Sequence, residues 1–487
     1  MAQGLLSGAA TVIAPSLLGM LAPRIARAGL SSDINALKAA CNITAGAGMV
    51  PFICFDLAGG ANIAGSNVLV GQQGGQLDFL TTAGYSKLGL PGNMVPNTSV
   101  TGNFIDQSLG LAFHSDSAFL RGMMTRISPT TAANINGVVI PALSQNDTGN
   151  NPHNPMYGIA KTGAKGQLLT LIGTVSSDSG GNSMAPAAMI DPTERPTKIS
   201  QVSDVTGLVD TGQLATLLPS QADTVSVMES IERTSKFKID AVDTQLGTGD
   251  AAAKQIVQCG YVKTAYLADT FGNPSALDPT KDANIKGATG VFSDAEFSNG
   301  NFVKTASVMK LVVNGFAGAG TIEMGGFDYH TGDRSTGEGR DFEAGECMGA
   351  CLEYAARQGQ PLMLYVFSDG SLASNGTVDN SAGGRGKGVW TGDNQSTASA
   401  FFLVYSPKGR PALTDPTRQQ LGWFKGSGDV DSASSPAANA VNLLVETVIL
   451  NYLALHGRQG EMPTLFPNTA FGSAGAISQY SAFAPIA

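Results

Sequence analysis

The chain has 487 residues, 43% hydrophobic and 14% charged, so it can bury a large core and has the composition of neither a disordered nor a membrane-integral protein. Its 29 basic residues are outnumbered by 38 acidic ones, for a net charge of −9, and no basic run offsets this, which argues against binding a nucleic acid backbone by bulk electrostatics. Length alone would allow about three domains, but large α/β folds commonly exceed the usual domain size, and the reading is one domain with insertions.

At the N-terminus, Gly4 to Ala22 is apolar and small, and Ala26-Arg27-Ala28 before Gly29 has the A-x-A cleavage pattern, so residues 1–28 read as an export signal-like segment. Met1-Ala2-Gln3 lacks the basic residues of such a signal, and a retained amphipathic or anchoring helix is the alternative. The run Val50–Phe55 then reads as a buried strand opening into Asp56-Leu57-Ala58-Gly59-Gly60, which sets Asp56 at a strand end. A polar loop over Ser144–Pro155 holds Asn146, Asp147, Asn150, Asn151, His153 and Asn154, and leads to a strand over Leu168–Gly173. Helical spacing follows over Ala222–Arg233 and Ala251–Leu267, with Gly272–Gly300 as loop, so 175–300 is a candidate cap or insertion.

From Phe302 the order is clearer. A helix to Val313, a turn at Asn314-Gly315, a strand Thr321–Phe327, a helix Asp341–Arg357 and a strand Pro361–Phe367 alternate. A long Gly/Ser/Asn loop is expected over Ser368–Ser399, then a strand Ala400–Tyr405 and a helix Ala437–Leu455. This alternation predicts an α/β fold with a mostly parallel central sheet and helices on both faces, in a single domain over 29–487. The 61 glycines, with many Ser, Thr and Asn residues, imply long irregular connections, where binding residues tend to sit.

Polar groups converge on the strand ends. Asp56 follows the first strand, Asp328 and His330 follow Thr321–Phe327, and Asp369 follows Pro361–Phe367, all at the carboxyl side where open α/β sheets bind ligands. In an extended Asp328-Tyr329-His330 the Asp and His side chains share one side and suit a single divalent cation with N and O ligands. The plain alternative is an Asp that caps the following turn and a His that bonds a neighbour. Asp369 in Ser368-Asp369-Gly370-Ser371 has the same turn chemistry.

Among the four histidines, His456 ends a helix before Gly457, where a cation would complement the helix dipole, and His114 reads as a local hydrogen-bonding residue. The five cysteines have no CxxC pair, which excludes a disulfide framework or zinc ribbon. Cys347 and Cys351 share an apolar helix face and read as core thiols. No phosphate-loop segment is present.

The runs Leu311–Gly315 and Glu323-Met324-Gly325-Gly326-Phe327-Asp328-Tyr329-His330 resemble a bacterial family of unknown function that carries a twin-arginine export signal and a Gly-Phe-Asp-Thr-His motif. That family looks distantly related to the alkaline phosphatase and sulfatase superfamily. The likeness extends to Phe52–Asn67, to Asn151-Pro152-His153-Asn154-Pro155 against a Ser-His-Phe segment, to Val366–Asp369 against Ser-Glu-Phe-Gly-Arg, and to Thr391-Gly392-Asp393-Asn394 against Gly-Thr-Asp-His-Gly. Asn394 stands where the pattern has histidine and Asp369 where it has glutamate, and the arginine after that acid is absent.

The resemblance implies an alkaline phosphatase-like α/β scaffold, exported to the periplasm or cell surface, that hydrolyses small phosphate or sulfate esters. It implies a divalent metal (Zn, Ca, Mn or Mg) on Asp56, His153, Asp328 and His330, with Asp369 and Asp393 as further ligands. No spacing selects a nucleophile, although Ser66, Ser144 and Thr148 lie in suggestive loops. The departures keep open a second expectation, a non-catalytic structural or binding protein of the envelope with a protein partner or a homo-oligomeric state. Neither expectation includes a nucleic acid partner or a stable membrane span after processing.

Overall fold

The structure is a computed structural model that describes residues 29–41, 43, 48–97, 103–144, 151–209, 217–218, 220–271, 274–332, 334–435, 437, 440–469, 471 and 474–486. The export signal-like segment over 1–28 lies outside the described residues, as do Asn146, Asp147, Thr148 and Asn150. The chain divides into two compact units, one from Met1–Ala45 with Thr206–Leu277 and one from Gly46–Val205 with Asp278–Ala487.

The first unit is helical. Helices Ser32–Ala40, Gln221–Asp240 and Asp250–Phe271 bury Ile34, Val225, Met228, Val262 and Ala265 against one another. Ser220 starts the second helix by accepting a hydrogen bond from Asp223 N, which satisfies one of the free N–H groups of the first turn. Both long helices outrun the expected ends at Arg233 and Leu267. Ion pairs one turn apart, such as Lys236–Asp240 at 2.7 Å, prolong the first where apolar spacing has stopped. A disulfide joins Cys41 to Cys259, a pairing with no local sequence signal, and leaves Cys54, Cys347 and Cys351 free and buried. Among the described residues no helix is long and apolar enough to cross a membrane.

The second unit is α/β, as the alternation of elements predicts. In chain order its strands are β1 (Phe52–Leu57), β2 (Ile105–Asp106), β3 (Phe113–His114), β4 (Ile135–Pro141), β5 (Leu169–Gly173), β6 (Thr197–Lys198), β7 (Ala317–Met324), β8 (Leu362–Ser368), β9 (Leu372–Asp379), β10 (Lys387–Asp393) and β11 (Ser399–Tyr405). Seven of them form one sheet in the order β4-β11-β8-β1-β7-β5-β6. β1 lies parallel to both β7 and β8, and only β11 runs against its neighbours. Continuous apolar runs such as residues 362–367, buried at every residue, suit a strand covered on both sides.

Helices cover both faces. Phe52, Cys54, Tyr365 and Phe402 join a core with Leu444, Val448 and Tyr452 of helix Val441–Leu455. On the opposite face Gly320 sits under helix Gly300–Val313, where a Cβ would come within 2.6 Å of Val308 Cγ1. Helices Ala118–Met124 and Arg334–Arg357 approach so closely that a Cβ on Gly122 would stand 2.1 Å from Phe342 O. Part of the glycine content therefore serves helix contact and not irregular connections.

Three expectations need correction. The loop expected over Ser368–Ser399 contains the antiparallel hairpin β9–β10. Its Gly, Ser and Asn residues hide the strand pattern, because the hairpin is only half-buried and its register shifts around Trp390. β4 has no counterpart in the sequence reading. Asp56 lies inside β1, paired in register with Glu323 and Phe367, and not beyond the strand end.

Candidate metal centre

Because β1, β7 and β8 are parallel neighbours, the loops that leave their carboxyl ends meet at one edge. Backbone bonds stitch these loops together: Ala58 N donates to Met324 O at 2.9 Å and Phe327 N to Ala58 O at 3.2 Å. Gly59 then donates its N–H to Asp369 Oδ1 at 2.9 Å. Its φ of +121° lies in the region that favours glycine, and a Cβ there would stand 2.5 Å from Asp328 N. The Gly59 peptide is thus held between Asp369 on one side and Asp328 on the other.

Asp328, His330 and Asp393 form the outer group of the edge. One ligand atom from each lies within 4.8 Å of the others. His330 Nδ1 faces Asp328 Oδ1 in direct contact and Asp393 Oδ1 at 3.3 Å. Asp393 arrives because the hairpin returns the chain to the edge, where it pairs with Leu372 at the start of β9. Asn394 accepts from Ser396 N at 3.0 Å and caps a short helical turn.

Asp56 and Asp369 form an inner group and are fully buried. Asp56 accepts from Asn182 N and Ser183 N, each at 2.7 Å, and from Ser183 Oγ at 3.0 Å. Burial outweighs these donors and, with the nearby charge of Asp369, pushes the Asp56 carboxyl up to about 7. Asn182 Nδ2 donates to Asp369 Oδ2 at 2.9 Å, so one residue ties the two acids together.

His153 belongs to neither group. Its Nε2 lies 3.3 Å from Ser144 Oγ, which donates to the carbonyl of Asp369 at 2.7 Å, and its ring stacks on Phe367 with centroids 6.0 Å apart. Burial lowers His153 to about 4, so the imidazole is neutral, and its buried Nδ1 has no hydrogen-bond partner among the described residues.

The six candidate ligands therefore divide: Asp328, His330 and Asp393 converge, Asp56 and Asp369 pair behind them, and His153 stands apart on Ser144. Asn182 and Ser183 were missed from the sequence. Two of their contacts come from backbone N–H groups, which carry no residue-type signal. Of the candidate nucleophiles, Ser66 is buried and donates to Asn62 Oδ1, Ser144 is buried against His153, and Thr148 lies outside the described residues.

The remaining histidines have structural roles. His114 is buried, with Nε2 2.9 Å from Met94 O and Nδ1 accepting from Asp116 N at 3.2 Å. His456 corrects the helix-dipole expectation. It accepts from Val50 N at 3.3 Å through Nε2, which needs a lone pair, and burial with the nearby Arg458 charge lowers it to about 4. A neutral acceptor, not a cation, ends that helix.

None of the family models, curated proteins or solved structures compared with this chain matches it.

Proposed function

We propose that the chain is an exported, metal-dependent hydrolase of phosphate or sulfate esters on an alkaline phosphatase-like scaffold, its divalent cation (Zn, Ca, Mn or Mg) held by Asp328, His330 and Asp393. The observation that carries this reading is the convergence of two carboxylates and an imidazole within 4.8 Å, a donor set that suits borderline divalent ions. A cation bound there would polarise an ester oxygen or activate a nucleophile. The chain's own residues supply the positioning: the Asp369–Gly59 bond and the Gly59–Asp328 contact fix the Asp328 backbone, and the hairpin carries Asp393. The Cys41–Cys259 disulfide supports an oxidising compartment outside the cytosol.

Elemental analysis of the purified protein tests the reading. About one divalent ion per chain, lost on Asp328→Ala together with ester hydrolysis, is the expected result. Protein that takes up no metal and turns over no phosphate or sulfate ester after metal addition overturns it.

A second reading, a non-catalytic envelope or surface protein on the same scaffold, is favoured by the occupied inner acids. The Asp56 and Asp369 carboxylates already accept protein donors, and Asn394 serves as a turn cap. A stable multimer or envelope partner, with stability indifferent to His330→Ala, would select it. Robust turnover would eliminate it.

A further inference from the structure

One residue separates Asp328 from His330, and that residue is buried. Asp328 and His330 show 58% and 30% of their side chains to solvent, whereas Phe327 and Tyr329 are buried, with ring centroids 6.1 Å apart. Such alternation turns the two ligands outward by holding the residues beside them inward. Tyr329 N donates to Phe327 O at 3.0 Å, which closes a three-residue turn with Asp328 at its tip.

Tyr329 is held by its hydroxyl as well as by its ring. The hydroxyl accepts from Asn62 N at 2.9 Å and donates to Asp341 Oδ1 at 2.8 Å, so it joins the loop after β1 to helix Arg334–Arg357. Asp341 is buried, and its other oxygen accepts from Asn67 Nδ2 at 2.7 Å. Asn67 is fixed in turn: Nδ2 also donates to Asn62 O at 2.7 Å, and Oδ1 accepts from Ser117 Oγ at 2.9 Å and Phe119 N at 3.2 Å. The hydroxyl, the carboxylate and the amide all have partners, and a buried network satisfied in this way specifies one arrangement of its members. The Tyr329 ring also abuts Gly337 of the same helix, as does Trp390 of β10: a Cβ on Gly337 would stand 2.9 Å from Tyr329 Cε2 and 3.2 Å from Trp390 Nε1. The segment that carries Asp328 and His330 and the hairpin that carries Asp393 therefore rest on one point of one helix. A phenylalanine would fill the same space, but it would leave Asn62 N and Asp341 Oδ1 without the bonds that orient the segment.

We propose that Tyr329 is a positioning residue of the metal centre: its hydroxyl, clamped between Asn62 and Asp341, fixes the peptide that presents Asp328 and His330 to a divalent cation. This inference rests on the metal-site reading above. Partners behind the ligands of a metal orient those ligands, and their loss typically lowers metal affinity by about ten- to hundredfold.

The test is titration of cobalt(II), which takes the same N and O ligands and whose visible absorption reports their geometry, into wild-type, Tyr329→Phe, Asp341→Asn and Tyr452→Phe proteins, with urea unfolding of each apo-protein. Tyr452 supplies the control, because its buried hydroxyl donates to Val50 O at 2.7 Å, before the amino end of β1 and away from the carboxyl edge. The expected result in Tyr329→Phe is a roughly ten- to hundredfold loss of cobalt affinity with a changed visible spectrum. Asp341→Asn repeats the test from the other end of the bond and should show a smaller loss of the same kind, since the acceptor remains but is neutral. Tyr452→Phe should lose stability alone and keep the wild-type affinity and spectrum. Wild-type affinity and spectrum in Tyr329→Phe and Asp341→Asn, or an equal loss in Tyr452→Phe, overturns the positioning role and leaves the metal site standing. Wild-type protein that binds no cobalt, or binds it equally well after Asp328→Ala, overturns the proposed function and this inference with it.

Discussion

Replacing Gly59 by alanine should disturb the metal centre through the backbone alone. The residue has φ +121°, and an added Cβ would meet Asp328 N at 2.5 Å and Asp328 Cβ at 2.9 Å, closer than real Cβ contacts allow. The neighbouring Gly60 provides the control. Its φ of +106° carries a similar conformational penalty, but its Cβ would first meet Ser371 N at 3.5 Å, an ordinary contact. Both alanines should therefore lose about 1–2 kcal/mol from backbone strain, and Gly59→Ala a further 1–3 kcal/mol or so from overpacking against Asp328. The clash also pushes Asp328 away from His330 and Asp393, so Gly59→Ala should weaken metal binding at least tenfold while Gly60→Ala leaves it near the wild-type value. Urea denaturation of the apo-proteins gives the first difference and metal titration the second. Equal stability and equal metal affinity in the two variants would refute the reasoning, because it depends entirely on the close approach of Gly59 to Asp328.

Asp56→Asn should keep the fold, since an amide can accept the Asn182 and Ser183 N–H groups with its oxygen and donate to Ser183 Oγ with its nitrogen. The native carboxyl sits at about 7, above its unfolded value near 3.8, so the wild-type fold retains a proton that the unfolded chain loses and its stability falls as pH rises from about 4 to 7. The stability of the Asn variant relative to wild type should climb by about 4 kcal/mol over that window and level off above it. Denaturation midpoints that track each other across pH would contradict the buried acid. His114 and His153, both lowered to about 4 by burial, shift stability the opposite way between pH 4 and 6.5, but equally in both proteins. Glu338→Ala should cost about 3–5 kcal/mol in urea unfolding, because it strips a carboxylate from the buried Arg334 and Lys387, bonded to it at 2.7 and 2.8 Å. A loss below about 1 kcal/mol would contradict the dependence of the two buried cations on Glu338.

The sheet was legible where strands carry unbroken apolar runs. Residues 52–55 and 362–367 are apolar and buried at every position, and such runs stand out whatever surrounds them. The hairpin β9–β10 was not legible, because its burial is mixed and its Gly, Ser and Asn residues read as loop. β4 was missed although every one of its residues is buried. Its sequence Ile-Asn-Gly-Val-Val-Ile-Pro is broken by two turn-forming residues and closed by a proline, and its pairing with β11 settles the matter. Cys41 and Cys259 show the same limit, since only the packing of helix Asp250–Phe271 against the chain just after helix Ser32–Ala40 brings two sulfurs so distant in sequence into bonding range.

For the candidate site, the residue types and the place of Asp328 and Asp369 after buried strands came from the sequence: an acid after a buried strand is visible as composition next to hydrophobicity. The partners of each acid did not. Asp328 and His330 are neighbours in the chain, but Asp393 joins them only through the return of the hairpin, and Asp56 and Asp369 are linked through Asn182, which lies in an unremarkable Ser/Gly loop. Local pattern determined that this chain builds a mostly parallel sheet with polar groups at its carboxyl edge, since burial periodicity and turn chemistry act over a few residues. Tertiary structure alone decided which of those groups share one space and which are used up as buried acceptors, because strand order and register bring together residues that are hundreds of positions apart in sequence.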